Sequence, residues 1–94
     1  MAVLSSFYVD QSTLPLSTTH QKMSWGFSSS LLILVNDETS GSKKVYFSYN
    51  DPRLDGSLTP QDKFTLSDSS LASIWLWCDG AGAPNYRLFV EADT

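Results

Sequence analysis

The sequence predicts an all-β fold, a single antiparallel β-sandwich, jelly-roll-like, of seven to eight strands. Three observations carry this. Ser, Thr, Gly, Pro, Asn and Asp interrupt the chain every few residues. The apolar segments between them are short and rich in β-branched and aromatic residues, which suit a pleated, half-buried surface. No segment has the 3.6-residue spacing of an amphipathic helix. At 94 residues the chain is one domain, spanning 1–94.

The elements follow in order. Ser6 to Asp10 reads as a short first strand and Thr19 to Phe27 as a longer, weaker one. Between them, Leu14-Pro15-Leu16 sets an apolar pair around a proline, so residues 1–18 read as an extended arm or an edge strand. Leu31 to Asn36 is a continuous apolar run and predicts a fully buried central strand. Lys43 to Asn50 alternates, with Val45, Phe47 and Tyr49 on one face. Asp51 to Pro60, with two prolines and one glycine, reads as a loop. Lys63 to Ser67 puts Phe64 and Leu66 on one face. Ser73 to Asp79 alternates Ile74, Leu76 and Cys78 against Trp75 and Trp77. A Gly80 to Pro84 turn leads to the last strand, where Tyr86, Leu88 and Val90 alternate with Arg87, Phe89 and Glu91.

Charge and composition exclude several roles. The net charge is −4, and of six basic residues only Lys43 and Lys44 are adjacent. That is no electrostatic footprint for nucleic acid and no polybasic membrane surface. No apolar run approaches the ~18 residues of a membrane span. The first ten residues have neither the basic region nor the sustained apolar stretch of a secretory signal, so synthesis in a cytoplasm is expected. Sixteen serines and seven threonines supply much of the polar surface.

The chemistry-bearing residues form no catalytic constellation. His20 is the single histidine, and no metal-ligand spacing surrounds it, so it reads as a polar residue on a half-exposed strand. Cys78 is the single cysteine and shares parity with Ile74 and Leu76, which makes it a buried apolar thiol. Asp51, Asp55, Asp62 and Asp68 gather near one loop and the next turn. They lack the alternating oxygen pattern of a calcium loop. Asp before Pro and before Gly is ordinary turn chemistry. The expectation is no enzyme, no metal and no cofactor.

The informative feature is Trp75 and Trp77, which point to the same side of one strand. Pairing the last two strands as a hairpin adds Arg87 and Phe89 to that side. Ile74, Leu76, Cys78, Tyr86, Leu88 and Val90 then fill the core. Two indoles, a phenyl ring and a guanidinium on an outer face exceed what a solitary soluble domain exposes, and these residue types concentrate at interface centres. Three readings compete. The face is a subunit contact, it is the core with the parity inverted, or it is a sugar-stacking platform. The subunit contact, formed by Trp75, Trp77, Arg87 and Phe89, is the expectation adopted.

From about Leu31 to Ala92 the order of strands and turns resembles small β-sandwich virion proteins of tailed bacteriophages. The resemblance rests on Leu58-Thr59-Pro60-Gln61-Asp62-Lys63-Phe64-Thr65-Leu66, then a Ser-rich turn, then Ile74-Trp75-Leu76-Trp77, a Gly-Ala turn and Tyr86-Arg87-Leu88-Phe89-Val90-Glu91. Those proteins have an L-x-P-G segment before a strand, and Gln61 stands here where glycine is usual. The resemblance implies a non-enzymatic structural protein of a phage particle, of the capsid decoration or head-associated type. It implies capsid or other virion proteins as partners, a homo-oligomer, often a trimer, and location in the virion. The alternative is a carbohydrate- or receptor-binding domain of a tail fibre, with a glycan as ligand.

Overall fold

The computed structural model describes residues 4–51, 53–67 and 70–93. Among the described residues there are eight strands: β1 (Leu4–Asp10), β2 (Gln21–Ser24), β3 (Leu31–Asn36), β4 (Val45–Ser48), β5 (Gly56–Leu58), β6 (Lys63–Ser67), β7 (Ser73–Trp77) and β8 (Tyr86–Asp93). They form two four-stranded antiparallel sheets. Sheet I runs β1-β8-β3-β6 and sheet II runs β2-β7-β4-β5. This is the strand order of a jelly roll, two Greek keys folded face to face. Only β4 and β5 are consecutive strands paired in one sheet; every other link among the eight crosses from one sheet to the other.

Alternation places the core between the sheets. Leu32, Leu34, Val45, Ile74, Leu76, Leu88 and Val90 are fully buried. Phe47 adds its ring, stacked on Phe64 at 4.8 Å between centroids. Cys78 is buried there too, as its parity with Ile74 and Leu76 requires, and burial pushes its thiol up from the ordinary value. The core parity expected for the last two strands is therefore the one observed, and the inverted reading is excluded.

Polar side chains tie the two layers at their ends. Asn36, at the end of β3, is fully buried. Its Nδ2 donates to the Lys43 and Leu58 carbonyls at 3.0 and 2.9 Å, and its Oδ1 accepts from the Glu38 amide at 3.0 Å. Tyr86, on β8, donates its hydroxyl to the Leu14 carbonyl at 2.6 Å. Burial pushes its hydroxyl up to about 12. That bond pins the crossover from β1 to β2, whose Leu16 is also buried. The first segment is thus an edge strand followed by a docked crossover.

Four expectations need correction. β3 is interior in its sheet but is not buried on both faces. Leu32, Leu34 and Asn36 point inward, while Leu31, Ile33 and Val35 are only half-buried on the outside. The 51–60 loop contains β5, a three-residue strand that pairs with Val45 to Phe47. Its Gly56 lies directly over the Phe47 ring, where an added Cβ would meet ring carbons at 2.5 and 2.8 Å. The 19–27 strand shrinks to Gln21–Ser24. Most consequentially, β7 and β8 do not pair. β7 sits between β2 and β4, and β8 between β1 and β3, so the Gly80 to Pro84 segment is a crossover between sheets. Asp68, read as a turn residue, lies outside the described residues.

Candidate functional site

Trp75, Trp77, Arg87 and Phe89 all point away from the core, but not to one side. Trp75 and Trp77 lie on the outer face of sheet II, Arg87 and Phe89 on that of sheet I. The single four-residue face is replaced by two faces with the sandwich between them. Arg87 has no indole to lie over. It makes a two-pronged ion pair with Asp37, Nε and Nη2 to the two carboxylate oxygens at 2.7 and 3.0 Å, and that pairing raises its already high pKa.

On sheet II the chain covers one of its two outward indoles, Trp77. Register places Trp77 opposite Tyr46 on β4, and Trp75 between Lys22 on β2 and Ser48 on β4. Tyr46 and Trp77 are nearly parallel, 13° apart with centroids at 6.0 Å. On Trp77 lies the imidazole of His20, with centroids at 3.7 Å and planes within 12°. His20 is held from the other side by Asp51, through Nδ1 and Oδ1. Tyr46 donates to Asp79 at 2.8 Å, which raises the phenol's pKa. Asp79 is held below the ordinary carboxylate range, first by the Ala81 amide and then by Tyr46. Of the loop acids, two are turn acids: Asp55 accepts from the Tyr49 amide at 2.7 Å, and Asp62 caps Thr59 at 3.1 and 2.7 Å. Asp51, expected to be a third, instead reaches across to His20. The pairing of His20 with Trp77 was not legible in sequence, because 57 positions separate them and they meet through the pairing of β2 with β7 that follows His20.

On sheet I, among the described residues, no ring stacks on Tyr8 or Phe89. Three cross-strand rows of outward residues can be read from the register. The middle row is Tyr8, Phe89, Ile33 and Thr65. One flanking row is Ser6, Glu91, Leu31 and Ser67; the other is Asp10, Arg87, Val35 and Lys63. Tyr8 is 50% exposed and Phe89 36%. Together with Leu31, Ile33 and Val35 they make an apolar centre with charges at its edges. Three rows and four strands span a flat face of roughly 400 Å² at the usual strand spacings, on which five of the twelve positions are apolar or aromatic. At one end a groove of about 220 Å³ lies between Tyr8, Asp10, Asn85 and Arg87. Its polar groups bond one another: Tyr8 donates to Asp10 at 3.1 Å, and Arg87 is engaged by Asp37. Among the described residues no three His, Cys, Asp or Glu side chains are grouped to hold a metal ion.

No protein-family model matches this sequence, and no curated protein matches it at a significant level. Among solved structures the fold matches a chain from Bacillus endospore appendages, described as a novel family of disulfide-linked pili. The TM-score is 0.54 at 9% sequence identity, over 98% of this chain and 88% of that one. At that identity the likeness is one of fold.

Proposed function

We propose that this chain is a non-enzymatic structural protein, a sandwich subunit that works by packing its outer sheet I face against other protein. The observation that carries the reading is the outward row Tyr8, Phe89 and Ile33 on sheet I, set against a sheet II face whose Trp77 the chain covers with His20. The setting proposed is a bacteriophage particle, as a capsid decoration or head-associated protein within a homo-oligomer or on a shell of virion proteins. Two considerations support the structural role. Jelly rolls recur as capsid building blocks, and the pilus subunit with the same fold is itself a piece of a polymer. Those pili are disulfide-linked; in this chain the one cysteine, Cys78, is buried in the core, so packed faces rather than disulfides carry the assembly.

The test is light scattering and electron microscopy on wild type and on a Tyr8→Ser, Phe89→Ser variant, with mass spectrometry of purified virions for the setting. Wild type is expected to assemble or to attach to the particle. The variant is expected to stay a folded monomer with an unchanged circular-dichroism spectrum. A wild type that is monomeric at all concentrations and absent from particles would remove the proposal. A tail-fibre glycan-binding domain is the competing reading, favoured by the half-exposed Trp75 beside Lys22. It requires an indole fluorescence change on adding glycan that Trp75→Ala abolishes.

A further inference from the structure

We infer that the sheet I face is self-complementary and pairs with a second copy of this chain about a two-fold axis lying along the Tyr8-Phe89-Ile33-Thr65 row. The inference rests on the structural reading above and adds to it the partner and the register.

A two-fold axis in the interface plane, along the middle row, exchanges the two flanking rows and returns the middle row to itself. Each β8 then faces the β8 of the other copy running the opposite way. Phe89 meets the partner subunit's Phe89, and Ile33 meets the partner subunit's Ile33. Arg87 meets the partner subunit's Glu91, and Glu91 meets the partner subunit's Arg87. Leu31 meets the partner subunit's Val35 and the reverse. Every apolar residue of the face therefore lands on an apolar one, and the two central charges land on their opposites. That is what an isologous contact requires, one patch complementary to itself. The remaining edge charges, Asp10 and Lys63, face serines.

The other in-plane two-fold, along the strands, is the control. It puts Arg87 over the partner subunit's Val35 and Glu91 over the partner subunit's Leu31. Glu91 then loses water without gaining a partner, and Arg87 gains none beyond its own Asp37, which is costly. The face selects the first axis by charge. Arg87 keeps its Asp37 ion pair, made through Nε and Nη2, and Nη1 remains to donate across the contact.

Area sets the strength. A footprint of roughly 400 Å² on each copy, about 800 Å² for the pair at usual strand spacings, is below the size of stable interfaces and in the range of weak, transient ones. The pair is therefore expected to be reversible and concentration-dependent, not permanent.

The experiment uses two charge reversals, Glu91→Arg and Arg87→Glu, each measured alone and then mixed, by sedimentation equilibrium. Alone, Glu91→Arg places Arg87 against arginine and Arg87→Glu places Glu91 against glutamate. Each is expected to weaken self-association by about tenfold or more. Mixed, they restore both opposite-charge contacts, and a heterodimer of wild-type strength is expected. Both sites are on the outside of β8, and circular dichroism confirms that each variant folds. A Phe89→Cys variant joined to itself by a short bis-maleimide gives an independent reading of the axis. If wild type assembles but the mixture regains nothing and the Phe89→Cys variant does not crosslink, the two-fold register is overturned while the structural role stands. If wild type attaches to particles yet never self-associates, the same holds. If it does neither, both fall.

Discussion

On sheet II the indole of Trp77 lies under His20 and beside Tyr46, and His20 is held by Asp51. On sheet I the rings of Tyr8 and Phe89 face outward, and among the described residues no ring stacks on them. Both faces began as the same sequence pattern, aromatic residues at the outward positions of alternating strands. The difference comes from the connections. The crossover from β1 to β2 is pinned by Tyr86 and delivers His20 to Trp77, and the loop after β4 delivers Asp51. Among the described residues no link sets a ring on the outer side of sheet I in this way. An outward aromatic residue is thus a contact site only where the chain's own loops leave it uncovered.

The largest effect should separate the faces directly. Trp77→Ser removes the ring that His20 and Tyr46 pack on, and is expected to lower folding stability by about 2–3 kcal/mol in urea melts of the monomer. Phe89→Ser on the open face should change monomer stability by less than about 1 kcal/mol while altering assembly. Equal losses of fold stability at the two positions would break the distinction.

Tyr86→Phe comes next. It deprives the Leu14 carbonyl of its donor, at an expected cost of about 1 kcal/mol. Because that bond anchors the segment carrying His20, acrylamide should also quench Trp77 more strongly, with no change at sheet I. Quenching that stays the same would show that Asp51 alone holds His20 in place.

Acid should lower stability through hydrogen-bonded carboxylates on both sheets and in the turns. Hydrogen bonds hold Asp79, Asp55, Asp62 and Asp10 below 3.8 in the folded chain. Between those depressed values and 3.8 the unfolded chain binds more protons, so stability is full above that window and declines as the pH falls through it. Asp79→Asn should flatten part of the decline seen in acid melts, since Tyr46 and the Ala81 amide then lose an ionised acceptor at every pH.

The smallest effect is a control that touches neither face. Gln61 follows Pro60 in a turn closed by the Asp62 amide on the Thr59 carbonyl at 3.0 Å, with φ at 70°. A positive φ at that position favours glycine, which explains why an L-x-P-G segment carries glycine there. Gln61→Gly should raise stability by roughly 0.5 kcal/mol, leaving both the Trp77 quenching and the assembly unchanged.

Local pattern determined a good deal. Two-residue alternation by itself put Ile74, Leu76, Cys78, Tyr86, Leu88 and Val90 inside, and Trp75, Trp77, Arg87 and Phe89 outside, because a strand turns successive side chains to opposite faces whatever sheet it joins. Asp55 and Asp62 were readable as turn acids because their partners, Tyr49 and Thr59, are close in sequence. The apolar run Leu31 to Asn36 was readable as a strand but not as one with an exposed side, since period gives no information when both faces are apolar. Pairing was beyond local pattern altogether. That β7 joins sheet II and β8 sheet I follows from contacts between strands far apart in the chain, and the crossover between them looks like any hairpin turn in sequence. Only the tertiary structure, by choosing those pairings, split the outward aromatics between two faces, laid His20 on Trp77 and left Phe89 open.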